Sequence, residues 1–92
     1  MWTVLETREA AKALDKAPVE IVKKFQVWRA VVQHDGPSAL RAARGFNDEA
    51  LAGEWKGFRS SRLNLHWRVI YRVEASEIIV TVVRITPHDY RR

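Results

Sequence analysis

The spacing of hydrophobic residues changes from helical to extended between the first and the last third of the chain. In the first third, apolar positions recur at intervals of three and four residues, the period of an amphipathic helix. These positions are Ile21, Phe25, Trp28 and Val32. Pro18 can begin this helix because its fixed backbone angle suits a first helical turn, and Gly36 followed by Pro37 can end it. The pattern predicts one long helix with a single buried face.

Shorter elements are predicted on both sides of this helix. Residues 2–6, with the sequence WTVLE, are expected to form a short strand. Thr7 can cap a first helix over residues 8–17, because its hydroxyl can accept a hydrogen bond from the first helical turn. One further helical turn is expected over residues 39–44. Residues 45–57 contain three glycines and are expected to form a loop.

The last third of the chain is rich in β-branched and aromatic residues, which is typical of strands. Three strands are predicted, within residues 58–63, 66–75 and 77–86. The element order is therefore β-α-α-β-β-β in one domain, residues 1–92. We expect an α+β fold, with a small, mostly antiparallel sheet packed on the two N-terminal helices. The other face of this sheet is expected to be open to solvent.

Composition and charge narrow the class of protein. The length allows one core, and the absence of cysteine excludes disulfides and thiolate metal sites. No signal peptide and no membrane-spanning run is expected, so a cytoplasmic location is predicted. Residues 1–53 hold eight Lys and Arg against seven Asp and Glu, whereas residues 54–92 hold eight against four. This surplus, mostly arginine, favours a polyanionic partner.

The predicted middle strand carries several of these arginines. Alternate side chains of a strand lie on the same face. The odd-numbered residues from 67 to 73 are apolar and should face the core, so His66, Arg68 and Arg72 should face the other way. Arg62 joins them if the preceding strand pairs as a hairpin. Such a row suits closely spaced phosphates, although Arg72 has Glu74 within reach and is interpreted as a surface ion pair.

The C-terminal sequence TPHDYRR supplies a second candidate group. Pro87 ends the last strand, and an extended chain would put His88 and Tyr90 on one side and Asp89 on the other. Histidine titrates near neutral pH and is the commonest general acid or base, and tyrosine can stack on a nucleobase. A metal site formed by His66 and His88 is not expected, because the histidines are scattered along the chain. No cofactor is expected.

The order of these features resembles the RelE/HigB/ParE superfamily of bacterial toxins from type II toxin–antitoxin systems. The resemblance covers nearly the whole chain and includes the helical hairpin, LAGEWKGFRSSRL, WRVIYRV and the final H-x-Y. It implies a RelE-like fold and a ribosome-dependent endoribonuclease that cleaves mRNA in the ribosomal A site. In that reaction the 2′-hydroxyl attacks the adjacent phosphodiester without a metal ion. The products are a 2′,3′-cyclic phosphate and a 5′-hydroxyl.

The resemblance also implies roles for individual residues. Arg68 matches the arginine of the family's central strand and is expected to stabilise the phosphorane, with Arg62 in a similar or positioning role. His88 and Tyr90 are both candidates for proton transfer, and the choice between them stays open. The residues expected to contact or position RNA are Lys56, Arg59, His66 and Asp89.

Partners follow from the same resemblance. A cognate antitoxin is expected to bind the toxin, mRNA and ribosomal RNA are the expected nucleic acids, and operator DNA is expected only through the antitoxin complex. Two alternatives stay open. The ParE branch shares the fold but inhibits DNA gyrase through protein contact, and a non-enzymatic nucleic-acid-binding protein would also explain the basic surface. The four residues assigned to catalysis favour the nuclease.

Overall fold

The computed structural model describes residues 1–89, whose elements follow the predicted order with one additional strand. The strands are β1 (Thr3–Glu6), β2 (Glu49–Ala50), β3 (Arg59–Arg62), β4 (Arg68–Glu74) and β5 (Ile79–Thr86). The helices are α1 (Arg8–Lys16), α2 (Val19–Asp35) and the short α3 (Ala39–Ala42). Single 3₁₀ turns occur at Gly53–Trp55 and Ala75–Glu77. Within residues 1–89 no helix is long and apolar enough to cross a membrane.

The strands of the described residues form one sheet in the order β1-β5-β4-β3-β2. β1 runs parallel to β5, and the other pairs are antiparallel. A parallel pair requires a long crossover, and all the other elements lie between β1 and β5 in the chain. The predicted α+β fold, with a mostly antiparallel sheet on two helices, is confirmed. The additional strand β2 has only two residues, too few for a pattern in the sequence to show.

The main core lies between the long helices and one side of the sheet, which we call the helix face. The predicted apolar stripe of α2 is buried there, because all four of its residues are at most 1% exposed. It contributes to one cluster with the sheet residues Val69, Tyr71, Val80, Val82 and Ile85. Trp28 stacks on Phe25 and meets the ring of Tyr71 edge-on. The prediction of a helix with one buried face is confirmed.

The predicted start of α1 and the predicted end of α2 are also found. The Oγ1 atom of Thr7 accepts a hydrogen bond from the backbone N of Ala10 at 3.1 Å, as expected of an N-cap. The same hydroxyl donates to the carbonyl O of Val83 at 3.3 Å and so joins α1 to β5. Gly36 ends α2 with φ of +85°, and a Cβ atom there would lie 2.8 Å from Nε1 of Trp2. Glycine is therefore required at this position.

The other side of the sheet, which we call the open face, is covered at its centre. Leu51, Ile70 and Val83 are buried there, and the partly buried rings of Trp55 and Phe58 pack on them. Residues 51–57, predicted to be a loop, fold back over β4 and β5 and form this cover together with Phe58. The expectation of an open face is therefore wrong for its centre. It failed because glycine spacing predicts a loop but does not show what the loop covers.

A β-bulge decides which part of β5 meets the start of β4. The register between the two strands shifts by one residue between Ile70 and Tyr71, which leaves Val83 as the extra residue in β5. Beyond the bulge, Thr86 is the Cα partner of Arg68. Because a bulge changes the face on which later residues lie, simple alternation does not place the end of β5.

Candidate functional site

Two arginines of the predicted site lie directly opposite each other in the sheet. Arg62, the last residue of β3, and Arg68, the first of β4, are Cα partners in the antiparallel pair. The prediction that a hairpin brings Arg62 beside the arginine row is confirmed. Side chains of such a pair point to the same face with Cβ atoms about 4.5–5.5 Å apart, and like charges there destabilise a sheet. An anion beside the two guanidinium groups would offset this repulsion.

Arg68 is nearly buried, whereas an exposed row of arginines was expected. Its side chain is 8% exposed. Its Nη1 donates a hydrogen bond to the carbonyl O of His66 at 3.0 Å, and its Nη2 lies 3.7 Å from a carboxylate oxygen of Asp89. Arg62 is half-buried. The expectation of a solvent-exposed row is wrong for Arg68, because the turn before β4 and the chain after β5 both contact its guanidinium.

His66 lies in a turn and not in the strand that was predicted to start with it. The side-chain oxygen of Asn64 accepts hydrogen bonds from the backbone N of His66 at 2.8 Å and of Trp67 at 2.7 Å. Such a turn competes with strand pairing, so β4 begins at Arg68. His66 is exposed at the end of the sheet where the arginine pair lies.

The chain after β5 returns to the same end of the sheet. The backbone N of His88 donates to Oγ1 of Thr86 at 3.1 Å, and the His88 side chain is exposed. Asp89 was predicted to contact RNA, but its carboxylate is within ion-pair distance of Arg68. Tyr90, the second candidate for proton transfer, lies outside the described residues. The predicted alignment of His88 with Tyr90 stays a prediction.

Arg59 lies on the helix face and is separated from the arginine pair by the sheet itself. Its Nε donates to Asp48 at 2.7 Å. Burial disfavours the guanidinium charge, but the hydrogen bond and the negative charge of Asp48 outweigh it and raise the pKa of Arg59. The structure therefore does not bring this predicted RNA contact together with Arg62 and Arg68.

Asp48 is the important residue that the sequence did not indicate. Its side chain is completely buried. Besides Arg59, it accepts hydrogen bonds from Oγ of Ser61 at 2.6 Å and from the hydroxyl of Tyr71. Burial, together with Asp48, raises the pKa of Tyr71. Asp48 lay in a predicted loop, where an acidic residue is normally solvated, so no signal in the sequence marked it.

Other basic residues lie at the edges of the open face. Lys56 is exposed and follows the 3₁₀ turn that covers the face. Arg72 is exposed, with Nε 3.3 Å from Glu74, which confirms its interpretation as a surface ion pair. Arg84 was not predicted to matter; its guanidinium lies 5.5 Å from the ring centre of Trp55 and its Nε 3.0 Å from a carboxylate oxygen of Glu9.

A cleft of about 440 Å³ lies on the helix face, away from the arginine pair. Its lining includes Trp2, Pro37, Arg41, Phe58 and Arg59. In the described part of the chain, no group of three or more His, Cys, Asp or Glu side chains is arranged to hold a metal ion.

A comparison with protein families identifies the chain. The family described as "ParE toxin of type II toxin-antitoxin system, parDE" matches residues 4–90. The chain belongs to this family. It is a toxin of the RelE/ParE superfamily, which confirms the resemblance of its sequence features. A comparison with curated proteins gave no match.

Solved structures of other toxins share the fold. A YoeB/ParE toxin from Agrobacterium tumefaciens has a TM-score of 0.76 at 19% identity, over 95% of this toxin and 99% of that chain. YafQ from E. coli has a TM-score of 0.75 at 15% identity, over 94% and 92%. A chain of the RelE–RelB complex from Pyrococcus horikoshii has a TM-score of 0.74 at 22% identity, over 94% of this toxin and 93% of that chain. At these identities the likeness establishes the fold alone.

Proposed function

We propose that this toxin is a ribosome-dependent mRNA endoribonuclease that stops translation. The proposal treats residues 1–92 as a single toxin domain that acts in the cytoplasm. It rests on one observation, the pairing of Arg62 with Arg68 beside Thr86, two residues before His88. Two arginines and a histidine thus come from the same end of the sheet, where three strands meet.

These residue types match what cleavage by a 2′-hydroxyl requires. A base removes the proton of the 2′-hydroxyl, the oxygen attacks phosphorus, and the 5′-oxygen leaves with a proton from an acid. Positive groups stabilise the charge of the phosphorane. Arg68 and Arg62 have this last role in our proposal, and His88 and Tyr90 share the proton transfers. No metal ion takes part, and the products are a 2′,3′-cyclic phosphate and a 5′-hydroxyl.

The proposed RNA contacts are the exposed basic residues near this end of the open face. The side chains of Lys56 and His66 are both exposed. Arg59 contacts a buried carboxylate instead, so we assign it a structural role. Asp89 carries a negative charge and contacts Arg68, which argues against a direct contact with a phosphate.

A cognate antitoxin is the proposed protein partner. Support comes from solved complexes of toxins with this fold, the RelE–RelB complex, the YoeB–YefM complex from Staphylococcus aureus and the E. coli DinJ–YafQ toxin–antitoxin complex. We extend the same arrangement to this toxin. Operator DNA would then be bound only through the antitoxin.

The test is primer extension on mRNA in a purified translation system that contains ribosomes. Wild-type toxin, made by cell-free synthesis, is expected to cut the message at positions in frame with its codons. Arg68→Ala should lower the cleavage rate by at least about 100-fold, since it removes a charge that stabilises the transition state. His88→Ala should lower it by about 100-fold. Arg72→Ala is the matched control and should cut as the wild type does, because Arg72 contacts Glu74 at the surface.

Intact mRNA in the presence of folded toxin would contradict the nuclease proposal. Equal loss of cleavage in Arg72→Ala and Arg68→Ala would also contradict it, because a general loss of positive charge would then explain the effect. Cleavage without ribosomes would retain the nuclease but remove its dependence on the ribosome.

Inhibition of DNA gyrase is the second candidate function. One observation favours it, since the family that matches residues 4–90 is described as ParE toxin. In the sequence resemblance, the ParE branch acts by protein contact and without nuclease chemistry. Growth arrest with intact mRNA, together with inhibited supercoiling by purified gyrase, would favour this candidate. Binding to RNA or DNA without either effect would instead indicate a non-enzymatic nucleic-acid-binding protein.

A further inference from the structure

The arginine that our proposal requires at the phosphate already has an anion beside it. The guanidinium of Arg68 lies 3.7 Å from the carboxylate of Asp89 and donates to the carbonyl O of His66 at 3.0 Å. Only 8% of the Arg68 side chain is exposed. A phosphate oxygen that approaches Nη2 therefore competes with the Asp89 carboxylate for the charge of this guanidinium.

The chemistry of the site explains why an anion lies there. Arg62 and Arg68 are Cα partners on one face, and such a pair of like charges destabilises the sheet. A carboxylate offsets the repulsion, as a phosphodiester would, since both are anions that accept hydrogen bonds from guanidinium N–H groups. The Asp89 carboxylate thus has the same chemical role beside the arginine pair that a substrate phosphate would have.

We propose that residues 87–89 form an autoinhibitory strap, in which the Asp89 carboxylate occupies the phosphate position at Arg68 until RNA displaces it. The inference rests on the proposed function, in which Arg68 binds the scissile phosphate. It gives that site a form of regulation, because in the free toxin Asp89 blocks the Arg68 guanidinium to which RNA would bind.

The strap is built to be displaced. One of its contacts is the hydrogen bond from the backbone N of His88 to Oγ1 of Thr86, at 3.1 Å. The Asp89 side chain is 44% exposed and its oxygen lies 3.7 Å from Nη2, beyond hydrogen-bond distance, so this ion pair is weaker than a hydrogen-bonded one. The pair formed by Arg59 and Asp48 is different, because its distance is 2.7 Å and the carboxylate is completely buried. Of these two carboxylates, only Asp89 can be replaced by another anion without opening the core.

The strap also makes binding selective. An isolated anion makes only one contact, with Arg68, and must displace Asp89 to make it. Its apparent affinity is therefore reduced in proportion to the fraction of toxin molecules in which Asp89 has left Arg68. An RNA strand brings further contacts, such as those proposed for Lys56 and His66, and these compensate for opening the site. The toxin would therefore discriminate against small phosphates and in favour of a positioned strand.

The first experiment measures binding of RNA that cannot be cut. A labelled 2′-O-methyl oligoribonucleotide lacks the attacking hydroxyl, and fluorescence anisotropy gives its affinity. Asp89→Asn removes the competing charge and should bind about three- to tenfold more tightly than wild type. Glu74→Gln is the matched control, because it removes a carboxylate paired with Arg72 on the same strand and changes the net charge equally. Glu74→Gln should increase the RNA affinity only by the small general effect of losing one negative charge, and by less than Asp89→Asn does.

The second experiment needs no RNA. Phenylglyoxal modifies accessible guanidinium groups, and peptide mass spectrometry follows each arginine separately. Arg68 should react faster in Asp89→Asn than in wild type, whereas Arg59 should react slowly in both. Asp89→Ser is a second variant that removes the same carboxylate, and thermal melts of all variants confirm that they are folded.

The outcomes separate the strap from the nuclease proposal. If Arg68 becomes more reactive but no variant or wild type cuts mRNA, the strap stands and the nuclease proposal fails. If Asp89→Asn cuts more slowly with unchanged RNA affinity, Asp89 acts in the reaction and the strap is overturned. Unchanged reactivity of Arg68 and unchanged RNA affinity in both Asp89 variants would also overturn it.

Discussion

Two arginines on opposite faces of one sheet are used in different ways. On the helix face, Arg59 lies 2.7 Å from Asp48, whose side chain is completely buried. On the open face, Arg68 lies 3.7 Å from Asp89, whose side chain is 44% exposed. The first pair closes the edge of the core, and the second pair lies where an outside anion can replace one partner.

The difference lies in the counter-charge and not in the arginine. Separating a buried pair leaves an uncompensated charge in a medium of low polarity, which costs several kcal/mol. Separating the Arg68–Asp89 pair returns the half-exposed Asp89 carboxylate to water, which costs less. Arg68 is itself nearly buried, but its partner is not, so its ion pair is exchangeable. Burial of the partner therefore distinguishes a structural arginine from one available to a ligand.

Removing each carboxylate in turn gives the largest expected effect. Asp48→Ala should lower the free energy of unfolding by about 3–5 kcal/mol, because Arg59 and the hydroxyls of Ser61 and Tyr71 lose their acceptor. Asp89→Ala should change it by less than about 1 kcal/mol. Urea unfolding followed by tryptophan fluorescence measures both. Equal losses would remove the distinction between the two faces.

Removing each arginine should separate stability from activity. Arg59→Ala should lower the free energy of unfolding by about 3 kcal/mol, since the buried Asp48 carboxylate loses its positive partner. Its cleavage rate per folded molecule should stay at the wild-type value. Arg68→Ala should abolish cleavage. Its loss of stability should be smaller than that of Arg59→Ala, because Arg62 no longer faces a like charge. Unfolding curves and primer extension on the same samples measure the two effects.

The helix face should also respond to alkaline pH through Tyr71. Burial, with a contribution from Asp48, raises the pKa of this phenol above its ordinary value of 10.0. The folded state then keeps the proton where the unfolded chain loses it. The stabilisation is complete below pH 10 and declines above it, by about 1.4 kcal/mol per pH unit. Urea unfolding between pH 9 and 11 should show this additional slope in wild type and not in Tyr71→Phe, and parallel slopes would contradict the assignment.

The smallest expected effect comes from substitutions of two neighbouring serines. Ser61 lies on the helix face and donates to Asp48 at 2.6 Å, whereas Ser60 lies on the opposite face of β3. Ser61→Ala should lower the free energy of unfolding by about 1–2 kcal/mol, as expected for a hydrogen bond to a buried carboxylate. Ser60→Ala should cost less. A larger loss for Ser60→Ala would show that Asp48 is not the centre of this network.

Several features of the fold could be predicted because they depend on residues close together in the chain. The stripe of α2 repeats with the helical period, and Thr7 caps α1 through an atom three residues away. The opposed pair Arg62 and Arg68 followed from two strands joined by a short turn. The start of β4 was predicted two residues too early, because the side chain of Asn64 competes with strand pairing before Arg68.

The rest depended on contacts between distant parts of the chain. No local pattern indicated that residues 51–58 cover Ile70, since a loop rich in glycine has the same sequence signal whether it is solvated or packed. The bulge at Val83 arises from pairing with β4 and is invisible in alternating apolar residues. The burial of Asp48 depends on Ser61 and Tyr71, which are 13 and 23 residues away.

The sequence alone determined the class of this protein: its α+β element order, its arginine-rich second half and the set Arg62, Arg68, His88 and Tyr90 that resembles the toxin superfamily. Periodicity and charge are properties of neighbouring residues, so they can be recognised without a fold. Only the tertiary structure decided the roles of individual charges. It assigned Arg59 to a buried pair and Arg68 to an exchangeable one, because burial depends on the whole surrounding structure and sets the energy of an ion pair.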